Sequence, residues 1–351
     1  MRPSGFADNA ASGRVALALS LVLAVAVACD GEMAPEAEAE PELEPTWSER
    51  EPFPDRRTEV SGATDGRHVY VIGGFRDPAL GFGAPRTMWR FDPEADSWDD
   101  SGEIPEGLHH APFAYLDGSL YILGGFRETS FDPIDDVRIY DLATGEWSDG
   151  APMPTARGAP GWAVLDGRIH VIGGTMDPEG DLPPGGEVAP DGSTNVHESY
   201  DPATDSWETH APMPTPRNHL GAATLDGRIH AVLGRAEGDF TLTVHEIYDP
   251  AAGEWTTGPD VPTGRSGVAV VEHGGWLYAF GGERLDEPND RTFDDAERYD
   301  PGAEVWEQLA PMPTAWHGLA AAPVGNAIYV ISGGPGPGGT FGDENERLEI
   351  P

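Results

Sequence analysis

The chain has 351 residues, a formal net charge of -40 and 21 basic residues, all of them arginine. Such an acidic chain repels phosphate backbones, so we expect no nucleic-acid partner. It is also repelled by anionic lipid surfaces, so we expect membrane contact only through an anchor.

The N-terminal segment has the pattern of an export signal. Arg2 and Arg14 precede the apolar run Val15–Ala28, which is too short to span a bilayer comfortably. The single cysteine, Cys29, follows directly, and the residues before it resemble the lipobox of bacterial lipoproteins, although Ala26 replaces the usual large aliphatic residue. Residues 1–29 therefore predict a signal peptide, with either lipidation of Cys29 or ordinary secretion. The expected location is the cell envelope or the extracellular space.

Residues 30–45 predict a disordered linker. The segment Asp30–Pro45 is acidic and rich in proline, and it has almost no aromatic or β-branched residues. Such a segment buries too little apolar surface to fold. We expect it to separate the export signal from a folded domain at residues 46–351.

From Trp47 onward the chain repeats itself. Ala151–Gly174 aligns with Ala211–Gly234 without a gap. Tryptophans recur every 48 to 60 residues, at Trp47, Trp98, Trp147, Trp207, Trp255 and Trp306. A glycine pair follows at a spacing of 26 residues in four repeats, as Gly73-Gly74, Gly124-Gly125, Gly173-Gly174 and Gly281-Gly282. The segment after the glycine pair varies from 15 to 27 residues, which is typical of a scaffold with one variable loop per repeat.

Each repeat predicts four short antiparallel strands. In the third repeat, Gly161–Leu165 and Arg168–Gly174 flank Asp166-Gly167, which is a two-residue hairpin signal. His197–Asp201 follows the variable loop as a third strand, and Trp207 opens the fourth.

These motifs and spacings resemble the kelch family of β-propellers. The resemblance implies an all-β fold of six blades, each with four antiparallel strands. It also implies that the glycine pairs allow close backbone approach and that Trp98, Trp147, Trp207, Trp255 and Trp306 pack between blades. These glycines and tryptophans are therefore expected to be structural.

The first and last repeats predict how the ring closes, because one has an extra tryptophan strand and the other lacks one. The last repeat supplies strands near His317–Val324, Ala327–Ser332 and Glu346–Ile350, but it lacks a tryptophan strand. Trp47, at the other end, has no preceding glycine pair. We therefore predict that Thr46–Arg50 forms the outer strand of blade six.

Candidate ligand-binding residues lie in the links before the innermost strands. They are Arg57, His109, Arg157, Arg217, His219, Arg265, Trp316 and His317. The links and the variable loops share one face of a propeller, so these arginines would form a cationic pocket for an acidic sugar or an acidic peptide. The alternative is that each arginine binds link carbonyls or a neighbouring aspartate.

We predict no metal site or cofactor. Asp286–Asp290 and Asp343–Glu346 offer oxygen ligands for calcium, but neither has the spacing of an EF-hand loop, and a solvated acidic face is the alternative. His170 and His230 occupy equivalent strand positions, which favours inheritance through the repeat over metal ligation.

Three functions are compatible with this pattern. The preferred one is an exported, monomeric binding module for a protein or an acidic carbohydrate. The second is an enzyme similar to the sialic-acid mutarotases, although no catalytic residue is singled out by spacing. Copper radical oxidase chemistry needs a cysteine crosslinked to a tyrosine, and Cys29 lies outside the predicted propeller. The third is an interaction scaffold of the kind that kelch domains provide in larger proteins.

Overall fold

The computed structural model describes residues 44–351, which form six blades of four antiparallel strands arranged as a propeller. Four blades are separate sheets, whereas blades six and one are joined into one eight-stranded sheet by the pairing of Arg57 with Gly342. The predicted signal peptide, Cys29 and almost all of the predicted linker lie outside the described residues. Within residues 44–351 the only helix is the short 3₁₀ turn Pro78–Leu80. No helix within these described residues is long and apolar enough to cross a membrane.

The strands follow the order predicted from the repeat. Strand β1 (Thr46–Glu49) comes first in the chain. Blade one contains β2 (Arg57–Thr64), β3 (Val69–Arg76), β4 (Thr87–Asp92) and β5 (Ser97–Glu103). Blade two contains β7 (Phe113–Leu116), β8 (Ser119–Leu123), β10 (Val137–Asp141) and β11 (Glu146–Gly150). Blade three contains β12 (Gly161–Leu165), β13 (Arg168–Ile172), β14 (His197–Asp201) and β15 (Ser206–Thr209).

The remaining blades repeat this arrangement. Blade four contains β16 (Gly221–Leu225), β17 (Arg228–Val232), β18 (His245–Asp249) and β19 (Glu254–Thr257). Blade five contains β20 (Ala269–His273), β21 (Trp276–Phe280), β24 (Ala296–Asp300) and β25 (Val305–Gln308). Blade six contains β26 (Ala320–Val324), β27 (Ala327–Gly333) and β28 (Gly342–Glu349). Two short ribbons pair β6 (Leu108–His109) with β9 (Phe126–Arg127), and β22 (Glu283–Arg284) with β23 (Arg291–Thr292).

The N-terminal strand completes the last blade, as predicted. Strand β1 pairs antiparallel with β28, with Thr46 opposite Glu349 and Trp47 opposite Leu348. The innermost strand of blade six, β26, also contacts the innermost strand of blade one, β2. Both ends of the repeat array therefore meet in one blade, and no blade is left one strand short.

The glycine pairs allow each blade to approach the link of the next. A Cβ at Gly173 would lie 2.6 Å from the carbonyl oxygen of Arg217, and one at Gly124 would lie 2.7 Å from that of Arg157. The second glycine of the pair donates its N–H to the same carbonyl, at 2.9 Å for Gly174 and Arg217. Both members of each pair have positive φ, which glycine adopts without strain. In blade four Leu233 takes this conformation with φ 60°.

The tryptophans of the outer strands attach each blade to its own incoming link. The indole N–H of Trp147 donates to Glu103 O at 3.0 Å, and that of Trp207 donates to Ala151 O at 2.8 Å. Trp98 and Trp255 make the corresponding bonds. In blade five the partner of the Trp306 indole is a side chain, Nδ1 of His245, at 3.4 Å. Apolar residues of adjacent blades form the clusters against which these tryptophans pack.

Candidate functional site

The four predicted ligand-binding arginines are buried inside the blades. The side chains of Arg57, Arg157, Arg217 and Arg265 are all 0% exposed. Each is paired with an acid, namely Asp55, Glu198, Glu246 and Glu297 respectively. The expectation of an accessible pocket lined by these four residues is therefore wrong.

The contacts of Arg157 show why these arginines are buried. Its Nη2 donates to Glu198 Oε2 at 2.8 Å, and its Nη1 donates to the carbonyls of Gly173 and Val196 at 3.1 and 2.8 Å. The guanidinium thus holds together the link, the glycine pair and the third strand of one blade. Burial lowers the pKa of Arg157, and the neighbouring Glu198 opposes that shift. The alternative interpretation, that each arginine binds carbonyls or a neighbouring aspartate, is correct in kind, although the paired acid is a glutamate in three of the four blades.

A ring of residues in the left-handed conformation lines the mouth of the central channel. One residue comes from each blade, two positions after the arginine or its equivalent: Glu59, His110, Ala159, His219, Gly267 and Gly318. We call this set the axial ring. Backbone N–H groups of Ala159, His219, Gly267 and Gly318 each donate to the preceding member at 2.9 Å. The N–H of Val60 then donates to Gly318 O at 3.1 Å.

Between Glu59 of blade one and His110 of blade two, the contact within the axial ring is made by side chains. Oε2 of Glu59 lies 3.0 Å from Nε2 of His110. Both residues have positive φ, 56° and 52°, as does His219 with 51°. This conformation costs a residue other than glycine on the order of 1–3 kcal/mol, and such residues concentrate at functional sites.

Two further residues join these three to form what we call the axial cluster. Nε2 of His317 lies 3.6 Å from Glu59 Oε1 and 3.6 Å from Glu283 Oε2. Glu283 comes from the ribbon after blade five, so the cluster of Glu59, His110, His219, Glu283 and His317 draws on five blades. It was not predicted as a set.

Neighbouring groups determine the protonation states of Glu59 and His219 in the axial cluster. Burial would raise the pKa of Glu59, but His110, His317 and His219 hold that pKa well below its usual range. Burial lowers the pKa of His219, and the nearby Arg235 guanidinium lowers it further. Arg235 lies 3.0 Å from His219 Nε2 and 3.3 Å from Glu283 Oε1. Glu59 is therefore a carboxylate and His219 a neutral imidazole at neutral pH.

A cavity of about 310 Å³ opens beside the axial cluster. Glu59, His110 and His219 form part of its floor, together with Arg235 and Glu283. Its walls come from the variable loops and carry four phenylalanines, Phe75, Phe82, Phe131 and Phe341. Phe82 and Phe131 are 60% and 62% exposed. Residues of the links and of the variable loops thus both line this cavity.

Known proteins resemble this chain through the same repeat. The profile of the Kelch motif matches residues 107–154 and 264–313, which correspond to blades two and five. A Kelch-like protein, terF of Aspergillus terreus, is 26% identical over 297 residues, covering 81% of this chain and 62% of its own. Blades two and five of this chain are therefore kelch motifs, and the chain is similar to Kelch-like proteins.

Other relatives match shorter parts of this chain. Kelch-like protein 35 of Mus musculus is 26% identical over 48% of this chain and 25% of its own. The Kelch repeat and BTB domain-containing protein 2 of Homo sapiens is 41% identical over 16% of this chain and 9% of its own. The chain thus spans less than two thirds of the length of each of these relatives.

The other predicted link residues lie in different environments in the propeller. His109 is 1% exposed, contacts Phe75 and donates its Nε2–H to Ser130 O at 2.8 Å. Burial lowers its pKa to about 3. Trp316 is 2% exposed and packs in an apolar cluster between blades five and six. Neither lines the cavity. His219 and His317 are the two predicted residues that reach the axial cluster.

Sequence reasoning missed Glu59, Glu283, Arg235 and the cavity phenylalanines. A signal for the first was present, since Glu59 stands in the register where other repeats carry histidine, alanine or glycine. Arg235 and Glu283 belong to variable loops, whose positions the repeat does not determine. The segment Asp343–Glu346 lies within β28, where Asn345 and Glu346 are buried, so it is not the solvated acidic face expected as the alternative to a calcium site.

A second group of histidines lies between blades three and four. His170 Nδ1 is 2.9 Å from His197 Nε2, and His210 completes a set whose ligand atoms lie within 4.8 Å of one another. Blade four repeats the first pair, with His230 Nδ1 at 2.8 Å from His245 Nε2. The duplicated pair supports inheritance through the repeat, although sequence spacing did not predict the third histidine.

Proposed function

We propose that this kelch propeller is an exported binding module whose ligand enters the cavity beside the axial cluster. The observation that carries the proposal is the exposure of Phe82 and Phe131, at 60% and 62%, on the wall of a concave site. Large aromatic side chains left in water at a cavity rim are typical of a surface that a partner covers. The resemblance to kelch domains of larger proteins agrees with a protein partner.

The charges favour a basic protein segment over an acidic carbohydrate. The expected carbohydrate pocket depended on arginines that are buried and paired. Arg235 is a cation in the cavity lining, and Glu283 neutralises it at 3.3 Å. Glu59 adds a carboxylate, and the whole chain carries -40. A partner that inserts an apolar side chain would contact the phenylalanine wall, and an arginine or lysine beside that side chain would be attracted by the negative potential of the chain.

Peptide display on the full chain tests this proposal. We expect selected peptides to combine an apolar anchor with basic neighbours and to lose at least about tenfold in affinity with the double variant Phe82→Ser and Phe131→Ser. Leu182→Ser is the matched control, because Leu182 is an exposed apolar residue, 38% accessible, that does not line this cavity. Peptides that bind the double variant as well as the parent would place the binding surface elsewhere.

Export and anchoring are part of the proposal and need a separate test. The support is the sequence of residues 1–29, with its apolar run directly before Cys29. Mass spectrometry of the mature protein should give an N-terminus at Cys29 with a lipid adduct, and Cys29→Ala should release the protein from membranes. An unprocessed N-terminus would refute export by this route.

A sugar isomerase is the alternative function. Its support is now the pair of Glu59 and His110 rather than the buried arginines. The Glu59 and His110 pair, 3.0 Å apart beside the cavity, is an acid and base within proton-transfer distance. Accelerated exchange of sugar anomers in NMR, abolished by Glu59→Gln, would support that activity. Unchanged exchange rates with sialic and uronic acids would leave the binding module as the function.

A further inference from the structure

We propose that Glu59, His110 and His219 of the axial cluster bind one divalent transition-metal ion such as Zn²⁺. One carboxylate oxygen and one nitrogen from each histidine all lie within 4.8 Å of one another. Two histidines and one carboxylate are a recurrent ligand set for zinc and for other first-row metals. This proposal does not depend on the proposed protein partner.

The backbone supports a role beyond packing for these three side chains. Every member of the axial ring has positive φ, and blades five and six fill the position with Gly267 and Gly318. Glycine takes this conformation without strain, so it is the residue that the ring geometry alone would favour. Blades one, two and four place long polar side chains there instead. All three lie on one mouth of the channel, where their functional groups converge.

Neighbouring groups orient the two histidines for ligation. Asn218 Oδ1 lies 2.5 Å from Nδ1 of His219, which fixes the proton on Nδ1 and leaves the lone pair on Nε2. Nδ1 of His110 lies 2.6 Å from Nδ1 of His109, and its Nε2 lies toward Glu59. Such outer contacts on the second ring nitrogen are usual for metal-binding histidines.

The charge balance of the cluster admits a dication. Glu59 and Glu283 carry two negative charges, and Arg235 carries one positive charge, held 3.3 Å from Glu283. Arg235 also contacts Nε2 of His219 at 3.0 Å, so metal binding requires this guanidinium to turn toward Glu283. Calcium fits poorly, because it prefers six to eight oxygen ligands. Three protein ligands leave a coordination position for water or for a group of the partner in the cavity.

Zinc titration of the full chain, first stripped with a chelator, tests the site. We expect one equivalent of Zn²⁺ by calorimetry and by elemental analysis, and a rise in the unfolding midpoint on binding. His219→Gly and Glu59→Gln should each weaken binding on the order of 100-fold. His219→Gly is suited to the ring, since Gly267 and Gly318 occupy the same position in other blades.

Two controls separate the axial site from alternatives. Ala159→Gly changes the axial ring in blade three without removing a ligand, so it should leave zinc affinity unchanged. His210→Gln removes a member of the buried histidine group between blades three and four, and it should also leave affinity unchanged. Zinc binding that survives in His219→Gly and Glu59→Gln, or that is lost in His210→Gln, would overturn the proposal. Failure of the parent chain to bind Zn²⁺ or Co²⁺ would overturn it as well.

Discussion

The indole N–H of Trp47 donates to the carbonyl of Ala310 at 3.0 Å, across 263 residues of chain. Its ring also contacts Phe280 edge to face, with centroids 5.8 Å apart. Trp207 makes the same bond to Ala151 within its own repeat. The first strand of the propeller thus performs in blade six the role that the fourth strand performs in other blades.

Loss of this strand should destabilise the whole ring. Removal of Trp47–Arg50 exposes the edge of β28, and we expect a sharp fall in the unfolding midpoint. Trp47→Ala alone should lower the free energy of unfolding by about 2–4 kcal/mol, because it removes a half-buried aromatic ring and a hydrogen bond. Urea unfolding followed by circular dichroism measures both changes. Ser48→Ala, in the same strand but exposed, is the control and should be neutral; an unchanged midpoint after removal of the strand would refute this closure.

The buried arginines should behave as structural residues. Arg157→Met leaves Glu198 as an unpaired buried charge, which we expect to lower the free energy of unfolding by about 3–5 kcal/mol. The double variant Arg157→Met and Glu198→Met should recover much of that loss, since neither charge then remains buried alone. Chemical denaturation of both single variants and the double variant gives the coupling. Additive losses would mean that the pair is not coupled.

Glu346 occupies the position of Glu198 in a blade that lacks the arginine. The strand pairs Glu346 with Val330 as Glu198 pairs with Val171, but Trp316 stands where Arg157 stands in blade three. Burial raises the pKa of Glu346 to about 7, and Glu344 and Glu49 add to the rise, while hydrogen bonds from Thr314 and Trp316 oppose it. Glu346 is therefore a buried acid without its cation.

This position predicts a pH dependence of stability. Between about pH 4.5 and 7 the unfolded chain loses the Glu346 proton while the folded chain keeps it, so the free energy of unfolding falls as pH rises. Relative to the parent, Glu346→Gln should gain about 2 kcal/mol at pH 8 and little at pH 4. Comparing the two proteins at each pH cancels the contribution of the buried histidines. A difference that does not change with pH would contradict the raised pKa.

Two glycines of the axial ring should differ in their tolerance of a methyl group. A Cβ at Gly267 meets nothing closer than 3.6 Å, whereas a Cβ at Gly318 would lie 2.7 Å from the backbone nitrogen of Glu59. Gly267→Ala should cost about 1 kcal/mol for its positive φ alone. Gly318→Ala should cost more, because blades six and one must also move apart. Thermal unfolding of the two variants measures the difference in stability. Equal losses of stability would show that the backbone between blades six and one moves apart at little cost.

The repeat spacing alone determined the number of blades, the order of strands and the strand that closes the ring. Each blade is a local unit, so the glycine pair and Trp207 or its equivalent mark it within about 50 residues. The mismatch between an unattached Trp47 and an incomplete last repeat was enough to identify the partner of β28. Such inferences need no knowledge of side-chain contacts between repeats.

Only the tertiary structure decided which side chains are accessible and which meet. The sequence predicted that Arg157 and Arg217 line a pocket. In the structure each is buried and paired with an acid of its own blade, Glu198 and Glu246 respectively. Glu59 and His110 lie 51 residues apart in sequence, and Glu283 is further still, yet ring closure brings them to one mouth of the channel. The physical reason is that strand register is set within a repeat, whereas convergence on the axis is a property of the closed ring.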